Sequence, residues 1–153
     1  MKHYILDGHN IIYKNSSNQP RSTSGRAQAC NGLIMRCQGL IAGTTNKCTV
    51  FFDGHPPGEI ATGIKNVQVT FSYDREADTI IKSFIERSKN PRNLIVVSDD
   101  TEIKNFARVH SCTILSVAAF LKKINESGKT VDSEKPSVDD LSIHEWLKIF
   151  NKK

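Results

Sequence analysis

At 153 residues, with 38% apolar and 24% charged side chains, the chain has the size and composition of one globular domain with a proper core. No apolar stretch approaches the roughly 20 residues of a membrane span, and the run Tyr4 to Leu6 is too short for a secretory leader, so a cytoplasmic protein without membrane contact is expected. A net charge of +5 and a pI near 9.1 by themselves favour a polyanionic partner only weakly.

Residues 3–7 (HYILD) read as a first strand that closes on Asp7-Gly8. The polar, serine-rich stretch 15–25 reads as a loop. A helix is expected over 26–41, where Ala27, Leu33, Ile34, Cys37, Leu40 and Ile41 form an apolar stripe. Residues 47–52 read as a second strand ending in Asp53-Gly54, and 67–71 (VQVTF) as a shorter third. A helix follows over 76–88, with Ile80, Ile81, Phe84 and Ile85 on its core face and Asn90-Pro91 as its stop. The most hydrophobic strand, 93–97 (NLIVV), belongs at the centre of the sheet. Then come a helix over 101–110, a short strand over 112–115 and a helix over 116–124. Residues 125–137 read as a polar connection, and 138–150 as a tail helix started by Ser137 and Asp140.

Strands and helices alternate throughout, which predicts an α/β fold: a three-layer α/β/α sandwich on a mainly parallel sheet. The expected division is one domain over 1–125, with 126–153 as a linker and a C-terminal helix packed on it or appended to it. Cys30, Cys37, Cys48 and Cys112 show neither a CxxC pair nor a zinc spacing and read as small buried apolar residues.

Four aspartates stand where a strand ends or a helix begins: Asp7 in LDGHN, Asp53 in FFDGH, Asp78 in READTII and Asp99 in VVSDD. In an open parallel sheet all strand ends of that kind lie along one edge, where ligands bind. Carboxylates gathered there repel one another unless a cation stands between them, and an acidic cluster holding Mg²⁺ or Mn²⁺ suits phosphodiester cleavage. Each motif has a bland reading too. Asp7-Gly8 with Asn10 could be a turn closed by its own side chains. Asp78 could simply complement a helix dipole, and Asp99 with Glu102 fits a capping box. Gly128-Lys129-Thr130 resembles the end of a phosphate loop but lacks the preceding glycine and strand.

The order DGHN, FFDG, ADTII, VVSDD, followed by TILSVAAFLKKI, resembles the NYN domain of the YacP-like group within the PIN-like nuclease superfamily. The likeness covers about residues 3–124. It implies a metal-dependent ribonuclease, an endoribonuclease with one or two Mg²⁺ or Mn²⁺ ions, in which Asp7, Asp78 and Asp99 are metal ligands and Asp53 supports them. Asn10 would hold the turn or reach a metal-bound water. Two departures stand out: His9 occupies a place usually held by Tyr, and the Asp99-Asp100 doublet leaves open which carboxylate is used.

Metal-activated water would attack phosphorus in line, with no protein nucleophile. Arg75, Lys65, Arg26, Arg21 and His9 are the candidate phosphate contacts, and Tyr13 and Tyr73 could stack on unpaired bases. RNA, single-stranded or structured, is the expected partner; an oligomer is not indicated. Two other readings compete. A phosphohydrolase would need a second carboxylate close behind Asp7, where the sequence has Gly-His-Asn. A non-catalytic RNA-binding or ribosome-associated module of the same fold would bind RNA without regard to metal.

Overall fold

The structure, a computed structural model, describes residues 1–14 and 23–131, with backbone alone at 14, 23–24 and 126–131. β1 (His3–Asp7), β2 (Lys47–Phe52), β3 (Val67–Phe71), β4 (Leu94–Val97) and β5 (Thr113–Leu115) form one sheet in the order β3-β2-β1-β4-β5. Every pairing is parallel. Parallel strands are covered on both faces, which is why VFF and LIVV are continuous apolar runs rather than alternating ones.

Alternation along the strands divides the core in two. Tyr4, Leu6, Val50, Phe52 and Val97 pack on one face beneath α1 (Gly8–Lys14), α2 (Thr23–Ile41) and α5 (Val117–Val131). Ile5, Phe51 and Val96 pack on the other face, beneath α3 (Ala77–Arg87) and α4 (Thr101–Val109). The period of two then settles where the strand-end polar groups point. Asp7 follows Ile5, and Ser98 follows Val96, so both turn toward the α3/α4 layer.

The chain leaves β1 toward β2 and β3, then crosses back to β4 on the other side of β1. The carboxyl ends of β1 and β4 therefore flank the point where the winding reverses, the place at which open α/β sheets bind ligands.

Several boundaries differ from expectation. The segment after Asp7, which the sequence suggests is a turn, is the short helix α1, held by the burial of Ile11 and Ile12. α5 runs on to Val131 through Asn125, Ser127 and Gly128, poor helix formers that suggest an earlier end. Gly128-Lys129-Thr130 is thus helical and forms no phosphate loop. The tail helix expected over 138–150 lies outside the described residues.

Candidate active site at the sheet edge

Asp7 is the pivot. It is buried at the end of β1, where its Oδ2 accepts a 3.0 Å bond from the Ser98 hydroxyl and its Oδ1 a longer 3.4 Å one from the Asn10 amide. Burial pushes its carboxyl up to about 6; the bonds from Ser98 and Asn10 pull it down, while the charges of Asp100 and Asp78 push it further up. Those two electrostatic neighbours show which carboxylates share the pocket. Ser98 is fully buried, and its oxygen also accepts from the Asp100 amide at 3.0 Å. One hydroxyl therefore fixes Asp7 and the start of α4 together.

Asp78 arrives on α3 with the spacing Asp78, Ile81, Ile85, which sets it on the face whose isoleucines are buried. Its Oδ1 is buried and meets no donor among the described residues. Asp100 reaches the same place by the same periodicity, Asp100, Ile103, Ala107. It is the N-cap of α4, with Oδ1 accepting from the Ile103 amide at 3.0 Å. Glu102 lies beside Asp78 and takes a hydrogen bond from Lys82, which holds its carboxyl below the usual range. The Lys82 ammonium faces Glu102, Asp78 and Asp100, and its own pKa rises chiefly through the bond to Glu102.

The remaining predicted residues act on this frame from behind. Asp53 accepts at Oδ1 from the Ser72 hydroxyl (3.2 Å) and from the Ala77 amide (3.0 Å), the first residue of α3. It thereby fixes the helix end that carries Asp78. Asp99 turns away from the pocket: its Oδ1 accepts from the Val117 amide at 3.1 Å and so satisfies the start of α5. The Asp99 amide in turn donates to Asn10 Oδ1 at 3.0 Å, tying α1 to the end of β4. The capping box expected of Asp99 with Glu102 is not formed, because the helix begins one residue later and Asp100 is the cap. Gly8 serves close approach rather than a sharp turn: a Cβ there would stand 2.5 Å from the Phe52 ring, and its φ is not positive.

The substrate-contact candidates separate by strand polarity. Lys65 precedes β3 and so sits at the opposite, amino-terminal edge of the sheet, away from the carboxylates. Arg75 is exposed in the connection between β3 and α3, on the correct edge. Arg26 stands in α2 near Tyr13 and Cys30. His9 packs its ring on Tyr13 at 4.3 Å, and partial burial lowers its pKa while the Asp53 charge works against that. Arg21 lies outside the described residues. Ser98 and Lys82 were not singled out from the sequence, and Glu102 was named only as a capping-box partner of Asp99. Asp100 was legible but undervalued, since its i, i+3, i+7 spacing to Ile103 and Ala107 matches that of Asp78.

The donor set at this edge is wholly oxygen, the type that hard divalent cations take. The charges of Asp100 and Asp78 act on Asp7, and Asp78 carries a buried carboxylate oxygen that has no hydrogen-bond partner among the described residues. Among the described residues, however, no three His, Cys, Asp or Glu side chains are already gathered tightly enough to hold an ion. The chemistry of the donors fits a cation; the spacing is wider than a closed coordination shell.

The profile of the YacP-like NYN domain matches residues 4–148. The chain belongs to that family. YacP-like NYN domains are related to the PIN-like nucleases, so the chain falls among RNA-related nucleases in general terms. The fold is similar to two crystal structures of Rae1 (YacP) from Bacillus subtilis. One, the W164L mutant, superposes with a TM-score of 0.69 at 20% identity, covering 99% of this chain and 94% of that one. The other gives 0.67 at 20% identity, covering 98% and 92%. No curated protein sequence matches closely enough to count as a relative. Among the described residues of this YacP-like domain, no helix is long and apolar enough to cross a membrane.

Proposed function

We propose that this chain is a Mg²⁺- or Mn²⁺-dependent endoribonuclease whose metal ligands are Asp7, Asp78 and Asp100. The observation that carries it is Asp7: a buried carboxylate at the winding reversal whose charge is opposed by two further carboxylates, one with an unpartnered buried oxygen. A folded chain tolerates such mutual repulsion when a ligand relieves it. Asp99, expected as a ligand, is assigned a positioning role instead, because its Oδ1 is occupied by the Val117 amide.

When bound, the cation would supply the activated water and neutralise charge on the phosphate. The protein's own groups do the rest. Ser98 holds Asp7 and the α4 cap in register. Asp53 fixes the start of α3, and Lys82 sets Glu102 beside Asp78. Arg75, at the carboxyl-terminal edge of the sheet, would meet a phosphate beside the cut, with Arg26 the other cation near that edge. A cytoplasmic location fits the absence of CxxC or zinc patterns and the free state of all four cysteines.

The test is incubation of purified protein with assorted RNAs and Mn²⁺, read by fragment analysis, with Asp7→Asn and Asp78→Asn as controls. Internal cleavage that needs metal and is lost in both variants is expected. Cleavage in chelator, or undiminished cleavage by the variants, refutes the assignment. RNA binding without cleavage, indifferent to metal, would leave the non-catalytic module as the better reading.

A further inference from the structure

A second feature lies on the other side of the same edge. Between α1, α2 and the ends of β2 and β3 is an open pocket of ≈ 450 Å³, counting the part open to solvent. Its walls are largely rings: His9, Tyr13, Phe52, His55 and Phe71. Phe52 and Phe71 meet at 5.3 Å, tilted by 32°, and the His9 ring lies 4.3 Å from that of Tyr13. Ile12, Ala29, Cys30 and Pro57 also line the pocket, and Arg26 and Asp53 add the charged groups. Asp53 uses Oδ1 for Ser72 and Ala77, and its side chain is exposed, so Oδ2 is presented to the pocket's surroundings.

The aromatic wall continues outward. Tyr73 is half-exposed and meets His55 edge-on at 5.1 Å. It holds a left-handed backbone conformation, φ 58°, secured by its amide's 2.8 Å bond to the Gly54 carbonyl. A non-glycine residue in that region needs surrounding structure to keep it there, and such positions gather at ligand sites.

The alternation of β1 and β2 sets the two features back to back. Asp7 faces the α3/α4 layer, whereas Phe52 faces α1 and α2. Asp7 is paired with Phe51, and neighbouring strands are about 4.8 Å apart, so the ring pocket begins one residue and one strand away from the carboxylates. A nucleic-acid strand crossing the sheet edge at this point would have a phosphate on one side and an adjoining base on the other.

We propose that this pocket receives one unpaired nucleobase of the RNA, next to the cleaved linkage. The rings of the lining suit the π-face of any base, and a guanidinium with a carboxylate offers a donor and an acceptor to the base edge. A base inside a duplex cannot enter, so the pocket confines cutting to strands that are single or locally opened. The inference rests on the nuclease reading but names what that site selects.

The experiment separates the two. Short labelled single-stranded RNAs, each with one nucleotide replaced by an abasic residue, are bound to the full chain carrying Asp7→Asn in chelator, and binding is followed by fluorescence anisotropy. One position is expected to weaken binding about tenfold when its base is removed. In Tyr13→Ala that penalty should fall below about twofold; His55→Ala, at the exposed rim, repeats the test should Tyr13→Ala fail to fold. With the unsubstituted protein and Mn²⁺, the same abasic position should raise KM and leave kcat nearly unchanged. Equal binding of all abasic RNAs, or a penalty untouched by both variants, overturns the pocket even if cleavage is found. Base-dependent binding without any cleavage supports the pocket and removes the nuclease. No RNA binding at all removes both.

Discussion

Asp7→Asn should make the protein more stable at neutral pH while stopping its chemistry. Burial raises the Asp7 carboxyl from an ordinary 3.8 to about 6 in the folded state. Between those values the folded chain binds more protons than the unfolded one, so stability falls as pH rises. The contribution is fully present below about pH 4 and lost above about pH 6. A shift of about two units corresponds to roughly 3 kcal/mol at pH 7.5. Asparagine has nearly the same shape, carries no charge and still has a polar partner in Ser98. The variant should recover up to that amount, which for a chain of this size raises the thermal midpoint by roughly 6–12 °C. Urea or thermal unfolding of both proteins at pH 4, 5, 6 and 7.5 measures it. The gain should be near zero at pH 4 and grow through pH 5–6. A gain independent of pH, or no gain at pH 7.5, means Asp7 is not held against its preference and the account of the site is wrong.

Other substitutions discriminate the remaining roles. Asp99→Ala should cost about 1 kcal/mol through the lost contact to the start of α5 and spare most activity, whereas Asp100→Ala should cost about as much and abolish cleavage; unfolding curves and fragment assays on the pair tell them apart. Ser98→Ala orphans the Asp100 amide and removes a donor from Asp7, so about 1–3 kcal/mol is lost and the acidic limb of the pH–rate profile moves to higher pH. Gly8→Ala forces a Cβ against the Phe52 ring and should destabilise by about 1–3 kcal/mol, read from the urea midpoint. Mn²⁺ at a hundred times its dissociation constant should stabilise the unsubstituted protein by about 2.7 kcal/mol in calorimetry, and Asp78→Asn should remove most of that.

Much of the frame was legible because parallel strands advertise themselves. VFF and LIVV are apolar without alternation, and each is closed by a polar residue; after LIVV a helix pattern follows directly. The parallel sheet and its common edge follow from that, but the strand order was not read from the sequence, and β1 rather than the 93–97 strand stands at the centre. The choice of Asp100 over Asp99 as the third ligand, which is our proposal, did not come from the sequence, since the two are adjacent and differ only in where one helix begins. That start depends on Ile103 and Ala107 docking under the sheet, a packing decision rather than a local one. Lys65 was misjudged for a related reason: nearness to a strand in sequence says nothing about which edge is reached until direction is known. Ser98 passed as filler between a strand and two acids. Its part appears only when β1 and β4, 91 residues apart at the Asp7–Ser98 bond, lie side by side.

Asp99 and Asp100 are each also a scaffold brace for the helix that follows, and Asp53 braces the start of α3. Asp78 is different: among the described residues nothing binds its Oδ1, and α3 takes no side-chain cap from it. A descendant of this chain that had abandoned catalysis would still profit from acids at 53, 99 and 100 and would shed position 78 first. Among divergent copies, that single site would gauge whether the proposed cleavage is kept.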